Sequence, residues 1–511
     1  MELTQSYIDS LAPNANTISN AKGLAANKFQ KLCVSQDDTL LFGECVGSGK
    51  NPYKCSVDFI DKENPIARCS CPSRQIPCKH AMGLLYAYLY AYNRGKSFSI
   101  EEVPADITEK RGKIEKRAET KEKKIADAKM QMSDATAQNP DAQNLDAQKL
   151  NAQNPKVKNS KAKITAARKK INVQLEGIDV AEKLLNNIVK TGIASIDAAM
   201  RKTFDEQVKQ LGNYYIGGIQ TAFHDILLHL KMQNGDDYSY SDTISSLLYM
   251  GELIKKSREH LKAKHDSENP LTLFTSSAIE EQIGHVWKLE ELIQCNRYIE
   301  TVEMAQLTFY SYSDDARREF VDESLYIELH DGNIYKTVNY RPYKALKYVK
   351  ADDSHYDLIK ASEVFVYPGD VNPRVRWNKY TMEPLTMEHV AHIKSLAKSN
   401  FAETQKAVKN QIRNPLSDKN PLYLLSVSDI QMIKNDEEEQ LHIIDEHGTK
   451  QLLMDTGYID VKSMPFVKRL DKKLLIGGAL LVMFANDIDA GLIAAKPLAA
   501  ITDGGIVRFI Y

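Results

Sequence analysis

Short stretches near the start of the chain show the residue pattern of strands and a helix. Residues 40–46 form an apolar run, and residues 53–59 alternate strictly between apolar and polar side chains. A period of two residues is typical of a half-buried strand, and the turn residues 47–52 separate the two runs. We therefore predict a β-hairpin, followed by a tyrosine-rich helix from Ala81 to Asn93 that ends near Gly95.

The next segment, residues 101–160, has a different character. Lys110 to Met132 is rich in Lys, Glu and Ala and has almost no large apolar residues, which is compatible with a solvated single helix or with disorder. A five-residue unit then recurs over residues 141–155. This period matches neither helix nor strand, and solenoid repeats are longer, at about 20–50 residues. We predict a flexible, charged, low-complexity linker over residues 101–160.

Helical periodicity returns over residues 161–305, where Ile178, Ala181, Leu184 and Ile188 recur at spacings of three and four. Further helices are predicted at 192–211, 214–232, 241–262, 276–288 and 291–305. Residues 306–511 are rich in strand patterns. The predicted elements there are strands at 323–329, 364–367, 440–444 and 505–511, and a helix at 387–411.

These patterns predict a multidomain α+β protein with four parts. Residues 1–100 form a small domain with a ββα module, residues 101–160 the linker, residues 161–305 a helical domain and residues 306–511 a strand-rich α+β domain. A length of 511 residues fits several domains.

The charged residues are distributed unevenly along the chain, and this distribution bears on the kind of partner. The formal net charge is −1, which argues against a protein that is basic throughout, and the hydrophobic share of 43% excludes a fully disordered chain. Residues 1–100 carry +3, residues 101–175 carry +6 and the remainder carries −10. A basic N-terminal arm is thus joined to acidic C-terminal blocks, and such an arm suits an acidic partner.

Seven cysteines in a chain of this length do not form a disulfide scaffold. The first residues lack the basic and apolar regions of a secretory signal. The longest apolar run, residues 474–485, is shorter than the roughly 20 residues of a membrane span, so we interpret it as a buried strand or core helix. We expect a cytoplasmic protein with no membrane span, in which clustered cysteines indicate a metal site.

The candidate metal ligands are Cys69, Cys71, Cys78 and His80. Each pair has a spacing of two, so its side chains point to one side of an extended chain, and the prolines between the pairs allow the chain to turn back. Three thiolates and one imidazole suit a tetrahedral structural Zn²⁺, and they leave no open position for a catalytic water. The other cysteines lack this spacing, and we expect Cys55 to pack in the core.

The arrangement C-x-C-x6-C-x-H, between a hairpin and a helix, resembles the SWIM zinc finger over about residues 50–92. The order of segments is also similar to that of long bacterial SWIM-finger proteins. The resemblance implies a finger that binds DNA or protein partners, in company with MoxR-type ATPases and von Willebrand A-domain proteins. The five-residue repeat departs from the family pattern.

We therefore expect a non-enzymatic interaction or adaptor protein with one structural zinc ion. The alternative is a DNA-binding regulator that uses the basic finger and linker, for which Arg68, Arg74 and Lys79 are candidate contacts. A third hypothesis, an enzyme with its site in residues 306–511, has no motif to support it. The P-loop fragment at 47–50 lacks the required flanking residues. Four histidines are expected to be structural or surface residues: His224, His229, His389 and His392.

Overall fold

The computed structural model describes residues 3–12, 15–47, 51–60, 65–73, 76–94, 98–112, 161–232, 240–346, 351–369, 371–435, 438–488 and 490–510. The chain forms two compact units, residues 1–123 with 344–350 and residues 124–343 with 351–511. Helices and strands occur in both, which agrees with the predicted α+β class. Residues 113–160 of the predicted linker and the position of Gly95 lie outside the described residues. None of the described helices is long and apolar enough to cross a membrane.

The described residues of the first unit contain strands β1 (Phe29–Ser35), β2 (Leu40–Cys45), β3 (Tyr53–Asp58), β4 (Ile66–Cys69) and β5 (Ser99–Glu101), and helices α1 (Gln5–Ser10), α2 (Ala15–Ala25) and α3 (Lys79–Asn93). The strands form one sheet in the order β4-β3-β2-β1-β5. All neighbours are antiparallel except the parallel pair β1–β5. The predicted hairpin β2–β3 and helix α3 are confirmed, and the sheet is larger than the predicted ββα module.

Among the described residues of the first unit, one apolar cluster joins α3 to the sheet. Met82, Leu84 and Tyr86 of α3 are buried in it together with Leu41 and Val57 of the strands. Alternate tyrosines on α3 have different environments, as the helical period requires, because Tyr86 is fully buried and Tyr92 is 53% exposed. The finger therefore lies on a sheet with its own hydrophobic core.

A buried carboxylate fixes the chain that follows β5. Asp58 on β3 accepts hydrogen bonds from Arg68 Nη1 at 3.2 Å and from Arg111 Nη2 and Nε at 2.9 and 3.1 Å. Arg111, in the helical residues 105–112, also donates to Thr39 Oγ1 at 2.9 Å. Two guanidinium groups compensate the buried charge of Asp58, so residues 105–112 are held against the sheet.

The helical part of the second unit contains α4 (Lys161–Thr191), α5 (Ala198–Gln210), α6 (Gly217–Met232), α7 (Tyr240–Asp266), α8 (Ile279–Ile283) and α9 (Leu289–Gln294), with short 3-10 turns at Ile193–Ser195 and Leu211–Tyr214. The predicted apolar stripe on α4 is buried from Ile178 to Ile188. The helix predicted at 291–305 is wrong beyond Gln294. Asn296 has φ +53°, which ends the helix, and a strand begins at Tyr298.

The strand-rich part contains two sheets. The first contains β6 (Tyr298–Asp314), β7 (Glu319–Glu328), β8 (Ile334–Pro342), β9 (Asp357–Val366), β10 (Val375–Trp377) and β11 (Tyr380–Pro384). The second contains β12 (Leu422–Ser426), β13 (Asp429–Asn435), β14 (Glu438–Ile444), β15 (Lys450–Leu453), β16 (Ala479–Asp487), β17 (Leu492–Thr502) and β18 (Gly505–Arg508). Their orders are β10-β9-β6-β7-β8, with β11 beside β9, and β12-β16-β17-β15-β14-β13, with β18 beside β17.

The two sheets share an apolar core, in which Leu325 and Ile327 of the first sheet lie with Leu424, Leu481 and Leu498 of the second. The helices of this part are α10 (Met387–Ser395), α11 (Phe401–Arg413), α12 (Met464–Val467) and α13 (Lys472–Leu475). A 3-10 turn at Tyr343–Ala345 lies where the chain passes from residues of the second unit to residues 344–350 of the first. The predicted strands at 323–329, 364–367, 440–444 and 505–511 overlap β7, β9, β14 and β18, and β18 ends earlier than predicted, at Arg508. The apolar run at 474–485 is mostly the buried strand β16.

One helix predicted here is wrong in its extent. The expected helix 387–411 is divided into α10 and α11, which are separated by residues 396–400. Lys398 in this interval pairs with β12, since its N–H donates to the Leu424 carbonyl at 2.8 Å and its carbonyl accepts from Ser426 N–H at 3.0 Å. Lys398 thus forms backbone hydrogen bonds with a strand instead of continuing a helix. Asn400 then caps the start of α11.

Candidate metal centre

The four predicted ligands lie at the junction between β4 and α3. Cys69 is the last residue of β4, and Cys71 lies two residues further along the chain. Cys78 is the N-cap residue of α3, where its Sγ accepts a hydrogen bond from Ala81 N–H at 3.5 Å, and His80 lies in the first turn. The sheet and the helix thus each contribute one pair of ligands.

The structure brings all four side chains together. One ligand atom from each of Cys69, Cys71, Cys78 and His80 lies within 4.8 Å of the other three, and Cys78 Sγ is 4.0 Å from His80 Nδ1. In a tetrahedral zinc site with Zn–S bonds of about 2.3 Å, neighbouring sulfurs are about 3.8 Å apart. The donor set and its spacing therefore fit one zinc ion with a complete shell of protein ligands.

Burial controls the protonation of these ligands. The contact with Cys69 and burial raise the pKa of the Cys78 thiol well above its usual range, and burial also raises the pKa of Cys71. Burial lowers the pKa of His80, which keeps its imidazole neutral. Zinc binds thiolates and neutral imidazole, so binding at this site releases protons from the cysteines.

Two further side chains contact the ligands. The ring of Tyr53 lies 4.9 Å from the ring of His80, at an interplanar angle of 46°. Cys55 is buried in the core, as predicted, and its Sγ is 3.5 Å from Cys69 Sγ because the two residues are paired across β3 and β4. The linear spacing of the cysteines does not show this neighbour, because it depends on the register between two strands.

The histidines outside the finger that sequence analysis considered contact backbone or side-chain polar groups of neighbouring residues. His389 accepts from Thr386 N–H at 3.2 Å, where it helps to cap α10, and His392 Nε2 is 2.6 Å from the Leu329 carbonyl. His229 contacts Ser246 Oγ at 3.1 Å.

Of the P-loop fragment, residues 48–50 lie outside the described residues. Within the described part of the chain, the four finger residues are the one group of three or more His, Cys, Asp or Glu side chains placed to hold a metal ion.

The strand-rich part contains a buried polar cluster that sequence reasoning did not identify. Glu323 accepts hydrogen bonds from the hydroxyls of Tyr310 at 2.7 Å, Tyr312 at 3.1 Å and Tyr458 at 2.9 Å. Burial raises the pKa of all three tyrosines, so their hydroxyls remain donors. Three donors satisfy this carboxylate internally.

Residues 53–89 match the model of the SWIM zinc finger family. The match spans β3, β4, the four ligands and most of α3. The chain therefore carries a SWIM zinc finger with a Cys3His set close enough to hold one zinc ion. No curated protein matches the chain significantly.

Solved structures share only weak likeness with the chain. The HINa domain of Ifi202 in complex with 20-base-pair double-stranded DNA is 10% identical, over 39% of this chain and 93% of that domain, with a TM-score of 0.18. A murine DNA binding protein bound to double-stranded DNA is 11% identical, over 41% and 96%, with a TM-score of 0.19. A replication protein A heterotrimer bound to single-stranded DNA is 10% identical, over 39% and 48%, with a TM-score of 0.18.

Proposed function

We propose that this protein is a non-enzymatic interaction protein whose zinc finger presents a binding surface to a partner. The observation that carries this proposal is the closed ligand set of Cys69, Cys71, Cys78 and His80. Four protein ligands fill a tetrahedral shell, so the ion organises the fold of the finger and has no position for an activated water.

A groove beside the finger supplies the binding surface. It has a volume of about 560 Å³, and its lining includes Lys28, Val46, Tyr53, Pro72 and Lys79 next to the ligands. No carboxylate is among the described side chains that line it. Apolar surface bordered by two lysines is complementary to an acidic segment that carries apolar side chains. We infer an acidic protein segment as the partner.

The class of partner protein follows from the sequence resemblance alone. Long bacterial SWIM-finger proteins accompany MoxR-type ATPases and von Willebrand A-domain proteins, so we propose these two classes as candidates. An acidic surface segment with apolar side chains, on a MoxR-type ATPase or on a von Willebrand A-domain protein, would be complementary to the groove. Purified proteins of both classes are therefore the first partners to test.

DNA binding is the second candidate, and exposed cations on the finger support it. Lys54, Lys79 and Arg94 are exposed. Arg68, a candidate contact by sequence, is instead paired with the buried Asp58 at 3.2 Å. Arg74 lies outside the described residues. The pairing with Asp58 therefore removes Arg68 from the exposed charge that could face phosphates.

Binding of two labelled probes by the full chain tests both candidates. We expect an oligoglutamate peptide to bind the wild type, and the Lys28→Glu, Lys79→Glu variant to bind it at least about tenfold more weakly. The Lys54→Glu, Arg94→Glu variant has the same change in charge outside the groove and should bind the peptide as the wild type does. If a DNA duplex binds instead, with a steep loss of affinity in salt and equal weakening in both variants, the DNA-binding role replaces the protein-binding one.

A further inference from the structure

The second unit contains a cleft that is separate from the zinc finger. Its lining comes from α5, α6 and the turn between β6 and β7. Its volume is about 700 Å³, and typical small-molecule sites have volumes of about 300–1,000 Å³. The apolar side chains of Leu227, Leu228 and Ala316 line part of the cleft. The cleft therefore has the size and the mixed lining of a ligand site.

Positive charge dominates this cleft, although residues 176–511 together carry a net charge of −10. Among the described residues, two carboxylates line the cleft, those of Asp205 and Asp315. The cationic side chains in its lining are Arg201, Lys202, Lys209, Lys231, Arg317 and Arg318. A concave surface with such an excess of cations concentrates anions, because its walls focus the field of the charges.

Four of these six cations have no acidic partner among the described residues. Lys209 is paired with Asp205 at 2.5 Å, and Arg317 lies 3.6 Å from an oxygen of Asp314. Among the described residues, no carboxylate forms an ion pair with the three remaining exposed side chains, Lys202, Lys231 and Arg318. Their charges are available to a ligand.

Arg201 adds a cation that the fold holds in place. Its Nη1 donates to the carbonyl oxygens of Ile196 and Leu230, both at 3.3 Å. Leu230 lies in the last turn of α6, where carbonyl groups lack helical partners. Arg201 is thus held against the end of α6, so this part of the cleft is built before a ligand binds.

His224 provides an internal probe of the cleft. Its Nδ1 is 3.9 Å from Asp205 Oδ1. Burial lowers the pKa of His224, Asp205 raises it, and the charges of Lys209 and Arg318 lower it further. An anion that binds beside these cations should raise this pKa, because it stabilises the protonated imidazole.

We propose that this cleft binds a small molecule that carries two or more phosphate groups, with Lys202, Lys231 and Arg318 as the phosphate contacts. Lysine and arginine are the usual phosphate ligands in proteins, and the apolar part of the lining receives the remainder of the molecule. A nucleic-acid backbone instead calls for cations along an extended face, whereas these cations converge on one concave site. This function is independent of the finger and of the role proposed for it.

Titration calorimetry of the full chain tests the proposal with tripolyphosphate and with inorganic phosphate as probes. We expect one tripolyphosphate site per chain, tighter than the site for phosphate. The Lys202→Ala, Arg318→Ala variant should bind tripolyphosphate at least about tenfold more weakly, because two phosphate contacts are lost. The Lys255→Ala, Lys262→Ala variant removes two positive charges from α7, outside the cleft, and should bind as the wild type does. In NMR titrations, tripolyphosphate should raise the pKa of His224 in the wild type and in this control.

Three results would overturn the proposal. One is the absence of saturable tripolyphosphate binding to the wild type. A second is equal weakening in the cleft variant and in the control, which would show a general effect of charge. The third is binding of a DNA duplex that depends on Lys202 and Arg318 and that tripolyphosphate does not displace. Lys202 and Arg318 are exposed, so we expect their replacement to leave the fold intact, and an unchanged melting temperature checks this.

Discussion

The zinc finger and the helical part of the second unit are stabilised in different ways. In the finger, four ligands join the end of β4 to the start of α3, and structural zinc contributes about 10–16 kcal/mol in small zinc-finger modules. In the helical part, the stability comes from many buried apolar side chains, such as Ile178, Phe223 and Leu253. Each buried side chain of this kind contributes about 1.5–3 kcal/mol. Loss of a single ligand should therefore remove a large part of the stability of the finger in one step, whereas the helical part should lose stability gradually as apolar side chains are removed.

The largest effect is expected for Cys78→Ser. Serine is a good N-cap residue, so this substitution keeps the cap of α3 and removes only the zinc ligand. We expect bound zinc to fall well below one ion per chain and residues 53–89 to lose their ordered structure, as measured by elemental analysis and circular dichroism. Cys45→Ala, at a buried cysteine outside the ligand set, is the control and should retain the ion. Full zinc content in Cys78→Ser would contradict the assignment.

A cavity in the helical core should have a smaller effect that does not depend on zinc. Phe223 is fully buried, and Phe223→Ala should lower the free energy of unfolding by about 3–5 kcal/mol. Urea denaturation followed by the helical signal, with and without a chelator, measures this change. Phe274→Ala, at a position that is 42% exposed, is the matched control and should change the free energy much less. If a chelator changed the stability of the helical part, zinc would stabilise both regions, which would contradict the difference stated above.

Acid should weaken the helical part through Glu280. Burial raises the pKa of Glu280, but His260 at 3.1 Å and Lys264 at 2.5 Å outweigh it and bring the pKa to about 2. The folded pKa is below the unfolded value of about 4.3, so ionised Glu280 contributes about 3 kcal/mol above that pH and loses it as the pH falls toward 2.

Glu280→Gln should therefore reduce the stability at pH 7 by up to about 3 kcal/mol, and the difference from wild type should shrink below pH 4. Urea denaturation over a pH series measures this difference. The same substitution at the exposed Glu268 should leave the pH dependence unchanged. A constant difference at all pH values would show that the ion pairs of Glu280 do not shift its pKa.

The smallest effect is expected at Cys55. Its sulfur is 3.5 Å from that of Cys69, yet it lies outside the set of four ligands. Cys55→Ala should retain one zinc ion per chain and should cost about 1 kcal/mol through lost packing. Loss of zinc in this variant would mean that Cys55 is a ligand, and it would change the assigned set.

The sequence predicts the elements and ligands that depend on local spacing. The Cys3His set follows from two pairs of residues, and the core stripe of α4 follows from a helical period. Strands β4 and β5 are too short to show a period, although β4 carries Cys69. The split between α10 and α11 depends on the pairing of Lys398 with β12, which a helical pattern does not contain.

The features that the sequence does not reveal depend on residues far apart in the chain. The contact between Cys55 and Cys69 requires the register of β3 and β4. The cationic cleft combines Lys202 on α5, Lys231 on α6 and Arg318 on a β-turn. The net charge of each segment does not reveal this cleft, because its cations lie within a part of the chain that is acidic overall.

Hydrogen exchange of the full chain before and after zinc chelation shows whether zinc holds the finger in its folded state. We predict that backbone amides in residues 53–89 lose their protection when zinc is removed, and that those in α4, α6 and α7 keep theirs. Protection of the finger that survives complete removal of zinc would contradict a structural zinc at Cys69, Cys71, Cys78 and His80.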